Sequence, residues 1–81
     1  MTATVMIIDD EHEMVDLVAL GLKRRGFAVA PFTSGAEALA ALGSTDVDVV
    51  VTDLNMKGMS GLELCQKVAL DRPDIKRFFG R

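Results

Sequence analysis

Cysteine occurs once in the 81 residues, so no disulfide can form within the chain, and such usage suits a reducing compartment. Cys65 lies among Leu62, Leu64 and Val68 and reads as a packing residue. No apolar run reaches membrane-spanning length, and no basic start is followed by an apolar stretch and a small-residue cleavage site. Nothing in the sequence therefore directs the chain across a membrane, and a cytoplasmic location is expected. Low-complexity segments, linkers and long repeats are missing too. Basic charge is scarce in the body: residues 1–71 carry five basic and eleven acidic side chains, whereas residues 72–81 carry four basic and one acidic, for a formal charge of -3. A short basic end without interleaved binding chemistry is a solvated terminus, so no direct nucleic-acid contact is expected. A chain of 81 residues is at most one domain, and at this size only about 60 to 68% of the unfolded surface is buried.

What is present is an alternation of strand and helix signals. Val5-Met6-Ile7-Ile8 is a short apolar run that ends in Asp9-Asp10-Glu11, as in a strand buried on both faces whose carboxyl end meets a polar edge. From His12 to Arg25, Met14, Val15, Leu17, Val18 and Leu22 recur at helical spacing, with acids at the start, bases at the end and Gly26 beyond as an αL cap. His12 itself reads as a solvated residue near the helix start. Phe27 to Phe32 is a second strand, placed on a sheet edge because Pro31 withholds a ladder donor. Ser34-Gly35-Ala36-Glu37 has capping-box spacing and opens a helix to about Leu42, which Gly43 ends. A third strand runs from Val47 to Val51. Ser60-Gly61-Leu62-Glu63 repeats the capping box at the head of a third helix, whose buried stripe is read as Leu62, Cys65 and Ala69 with Leu64 and Val68, and which Pro73 stops.

This βαβαβα order predicts a parallel sheet with helices on both faces and right-handed crossovers. Ligands of such sheets sit beyond the carboxyl ends of the strands, where the strand order reverses. With the first strand flanked by the second and third, Asp9, Asp10 and Asp53 emerge together at that edge. Gly58, Ser60 and Gly61 give the loop after Asp53 the freedom to wrap a small ligand, and Met56 and Met59 read as loop anchors in small apolar pockets. Acids at strand ends are common because loops are polar, and the Asp9-Asp10 pair alone decides little. The second strand end, at Asp53, adds weight. Three carboxylates in one small site need a neutralising cation, and Mg²⁺, a hard ion that takes oxygen ligands and retains waters, is the natural occupant.

Val5-Met6-Ile7-Ile8-Asp9-Asp10-Glu11, followed by Val50-Val51-Thr52-Asp53-Leu54-Asn55-Met56-Lys57-Gly58-Met59-Ser60-Gly61-Leu62-Glu63, resembles the receiver domain of two-component response regulators. The resemblance spans about residues 4–75 and includes the forty-odd-residue gap between the acidic pair and the lone aspartate. It implies a flavodoxin-like three-layer α/β fold, here truncated to βαβαβα with strand order 2-1-3. It implies Asp53 as phosphoacceptor, Asp10 as a direct Mg²⁺ ligand, Asp9 holding the ion mainly through water, and the Asn55 backbone carbonyl completing the metal's protein ligands. A sensor histidine kinase is the implied donor, and the domain is a signalling module, not an enzyme beyond assisting its own phosphotransfer. One departure is Lys57, where the family usually has proline, so the loop loses a rigid residue and gains an ammonium.

A larger departure lies downstream. The family has five βα units, the fourth strand bringing a Thr or Ser hydroxyl and the fifth a Lys to the phosphoryl group, and neither is found here. Residues 1–75 are read as a partial receiver and 76–81, Lys-Arg-Phe-Phe-Gly-Arg, as an atypical basic and aromatic tail that makes a poor central strand. Impaired phosphotransfer is expected. The third strand is then left with an unpartnered edge, through which a homo-oligomer is expected to form. The competing expectation is a non-signalling fragment that self-associates or binds a partner. The aspartyl-nucleophile phosphatases are a third class; they need an aspartate where Asn55 stands.

Overall fold

The computed structural model describes residues 2–79. Its elements are β1 (Thr4–Ile8), α1 (His12–Arg24), β2 (Ala28–Phe32), α2 (Gly35–Leu42), β3 (Val49–Thr52), α3 (Gly61–Asp71) and β4 (Lys76–Phe79). The strands form one parallel sheet in the order β2-β1-β3-β4. Pro31 sits opposite Ile7 on the outermost strand β2, where its missing N–H costs no ladder bond on the open side.

Local chemistry sets the helix ends. α1 closes on a left-handed Gly26 (φ 92°), with Gly26 N–H donating to Lys23 C=O and Phe27 N–H to Leu22 C=O, the paired bonds of a Schellman turn. This turn takes up Phe27 and delays the second strand to Ala28. Both expected capping boxes form on their hydroxyl side: Ser34 Oγ accepts from Glu37 N–H at 3.4 Å and Ser60 Oγ from Glu63 N–H at 3.1 Å. α1 has no such cap, and its N-cap residue Glu11 instead donates its amide to Asp9 Oδ1.

Strand alternation divides the core into two layers. Met6, Ile8 and Val50 point toward α2 and α3, where Ala38, Leu42, Val47, Leu64, Val68 and Ile75 complete a buried cluster. Val5 and Ile7 point the other way, against Val15 of α1. Asp48, which interrupts the apolar run, turns its carboxylate out to accept from Thr4 N–H at 2.8 Å, while Val47 stays buried.

Three expectations are corrected. The outer edge of β3 is not open: Lys76–Phe79 pairs with it in parallel, Val49 opposite Lys76 and Thr52 opposite Phe79, so copies cannot associate through that edge. The segment lacks the aliphatic run of a central strand, but an edge strand needs only main-chain donors and acceptors in register. Ile75, 1% exposed, anchors it just before it enters the sheet. Gly80 and Arg81 of the expected tail lie outside the described residues. The stripe of α3 is Gly61, Leu64, Cys65 and Val68, whereas Leu62 is 54% exposed, because the helix is rotated to press Gly61 against the preceding loop. On α1 the buried residues are Val15 and Ala19, and Leu17 stands in solvent.

Candidate functional site

The two central strands end level with one another, Ile8 opposite Thr52, so the residue following each leaves the sheet at the same edge. Those residues are Asp9 and Asp53. The junction is fixed by main-chain bonds, Asp53 N–H donating to Ile8 C=O at 3.0 Å and Asp9 N–H to Phe32 C=O at 3.2 Å. Asp10 follows at the head of the turn into α1. One carboxylate oxygen from each of Asp9, Asp10 and Asp53 lies within 4.8 Å of the others, with Asp9 buried, Asp53 half-buried and Asp10 exposed.

This donor set suits a small divalent cation. Oxygens bound to Mg²⁺ at about 2.0–2.1 Å lie about 3 Å apart when adjacent and about 4.2 Å when opposite, so the ion would take one or two of these carboxylates directly and the rest through retained water. Backbone amides already bear part of the charge: Glu11 N–H donates to Asp9 Oδ1 at 3.0 Å, Asn55 N–H to Asp53 Oδ1 at 3.4 Å, and Lys57 N–H to Asp10 Oδ2 at 3.2 Å. Asn55, expected to offer its carbonyl, lies in the same loop. A cleft lined by Ile7, Asp9, Met14, Val18, Val51 and Asp53 opens beside the carboxylates on the α1 side of the sheet.

The loop from Asp53 to Ser60 is held from below. Met56 and Met59 pack against the α2/α3 cluster, the Met56 sulfur 3.8 Å from the Thr52 hydroxyl that also donates to Asp53 C=O. Gly58 takes φ 79°, a conformation that favours glycine. Gly61 has a different role from the freedom read in the sequence: a Cβ there would overlap the carbonyl oxygen of Asp53, so glycine is needed for the helix to approach the loop, a contact sealed by Gly61 N–H to Leu54 C=O at 3.0 Å.

Other residues stay apart from the cluster. His12 is exposed and pairs with Asp16 at 3.7 Å, consistent with its surface reading. Cys65 is a free thiol in the α3 stripe; burial pushes its pKa up and the nearby Arg77 partly offsets this, so it is a poor nucleophile. Near the far end of the sheet, Arg72 donates to Asp74 and holds that exposed carboxyl below the usual range. The signal that sequence reading missed is the Lys57 amide, since main-chain donors leave no mark in side-chain patterns.

The model of the response regulator receiver domain matches residues 5–79. Regulatory protein VanR of Enterococcus faecium is 38% identical over 68 residues, which cover 84% of this chain and 29% of that protein. The response regulator TrrA of Thermotoga maritima, solved in complex with Mg²⁺-BeF, superposes with a TM-score of 0.89 at 29% identity, covering 94% of this chain and 66% of that one. A structure of the histidine kinase ThkA in complex with TrrA matches with a TM-score of 0.90 at 28% identity, covering 96% and 67%. The chain thus spans less than a third of the length of the curated relatives it matches.

Proposed function

This chain belongs to the response regulator receiver domain family, and from that premise we propose that it is a phosphoacceptor module in which Asp53 takes a phosphoryl group from a sensor histidine kinase. The observation that carries the proposal is the gathering of Asp9, Asp10 and Asp53 at the shared end of β1 and β3. An Asp53 carboxylate oxygen attacks phosphorus, the phosphorus–nitrogen bond of a phosphohistidine breaks, and the imidazole leaves with the electron pair and takes up a proton. Asp10 would hold Mg²⁺ directly, Asp9 mainly through water and Asn55 through its carbonyl; the likeness to TrrA with Mg²⁺-BeF supports this assignment. When bound, the ion neutralises the charge that otherwise repels an incoming phosphoryl group. The likeness to TrrA bound to its kinase supports the choice of donor.

Transfer is expected to be slow in these 81 residues. No Ser or Thr follows Ser60, and Lys76 pairs with Val49, at the opposite edge of the sheet from Asp53. The reading places the chain in the cytoplasm, where its one thiol stays reduced. A second reading, a self-associating fragment that does not signal, draws on exposed apolar side chains at Leu17, Val18 and Phe78.

Incubation with a small acyl phosphate and Mg²⁺, followed by intact mass spectrometry, tests the first reading. One phosphoryl group should be gained, and Asp53→Asn or chelation of the metal should abolish the gain. No modification at Asp53 after prolonged incubation would favour the self-associating fragment.

A further inference from the structure

Among the amide bonds to the acidic cluster named above, those to Asp9 and Asp53 are local. Glu11 to Asp9 and Asn55 to Asp53 each close a turn across two residues. The bond from Lys57 N–H to Asp10 Oδ2 spans 47 positions and ties the loop after β3 to the end of β1. Among the described residues it is the one hydrogen bond to the Asp10 carboxylate, which is otherwise exposed on a turn beside two like charges. Repulsion from Asp9 and Asp53 and the entropy of a free rotamer both act to swing Asp10 outward. A main-chain donor opposes both, and it leaves Oδ1 and a second lone pair of Oδ2 open to a cation. Gly58, in its left-handed conformation directly after Lys57, turns the loop where this amide is presented.

We propose that the main-chain amide of Lys57 is the positioning group for Asp10, a clasp that holds this carboxylate over the site and strengthens divalent-cation binding there. The proposal rests on the metal-binding reading above. It assigns the role to the amide and not to the ammonium, whose positive charge opposes a cation. Proline at this position would lack the donor altogether.

Two variants separate amide from side chain. Lys57→Ala keeps the N–H and removes the charge; Lys57→Pro removes both. Mg²⁺ affinity, measured by amide-shift titration of the 81-residue chain, should be about five-fold weaker in Lys57→Pro than in Lys57→Ala, the loss expected for one hydrogen bond to a partly solvated charge. Equal affinities in the two would overturn the clasp while leaving the metal site intact. Absence of any saturable response in the unsubstituted chain would overturn the metal-binding reading, and the clasp with it. A measurement that does not depend on the folding of the proline variant uses Asp10→Ala without metal. The Lys57 amide proton should move upfield, and further than that of Asn55; a Lys57 proton that stays in place would overturn the proposal.

Discussion

The two faces of the sheet are built from alternating residues of the same strands, yet they are covered very differently. Toward α2 and α3, Met6, Ile8 and Val50 lie beneath two helices and a buried layer that reaches Ile75. Toward α1, a single helix covers Val5 and Ile7; Val49 and Val51 are half-buried, and Phe78, opposite Val51, is 54% exposed. The acidic cluster stands at the boundary. Its carboxylates leave the ends of the best-buried strands, while the loop after Asp53 is anchored by Met56 and Met59 to the closed face and the adjoining cleft opens on the other. One face therefore supplies stability, and the other leaves the chemistry accessible.

The largest effect should come from the closed face. Leu64→Ala is expected to cost about 2–5 kcal/mol, visible as a large drop in the urea midpoint. A cost below that of a change on the open face would reverse the comparison. Next comes the seam between the closed face and the site. Gly61→Ala places a methyl group against the Asp53 carbonyl, and about 1–3 kcal/mol of destabilisation is expected with amide-shift changes concentrated at residues 53–57. A variant as stable as the parent with an unmoved loop would show that the close approach is not required. The smallest effect belongs to the open face, where Phe78→Ser should cost no more than about 1 kcal/mol. The same substitution sharpens the second functional reading: if the exposed apolar face drives self-association, sedimentation should shift toward monomer, and an unchanged distribution would remove that face as the cause.

Much of this organisation is legible in the residues. Asp9 and Asp53 could be brought together on paper because each directly follows a short apolar run, and parallel pairing aligns such ends. Ser34 and Ser60 announced their helices, and Pro31 its edge position, through hydrogen-bonding capacity that does not depend on tertiary context. What stayed hidden lacks that property. Periodicity marks Leu17 and Leu62 as apolar without saying which way the helix is turned, and the turn of α3 is set by Gly61 meeting Asp53. Residues 76–79 read as a tail because they lack the aliphatic run of a central strand, yet they form β4 because an edge strand pairs through its backbone, whatever Lys76 and Arg77 suggest. The Lys57 clasp was invisible for the same reason.

The most direct test of the central claim, that three carboxylates at one strand edge form a divalent-cation site around Asp53, is a Mg²⁺ titration followed by NMR amide shifts, with Asp53→Asn as control. Saturable shifts confined to Asp9, Asp10 and the loop from Asp53 to Lys57 are expected, with much weaker ones in the control. A folded spectrum that shows no localised response to the metal would contradict that claim.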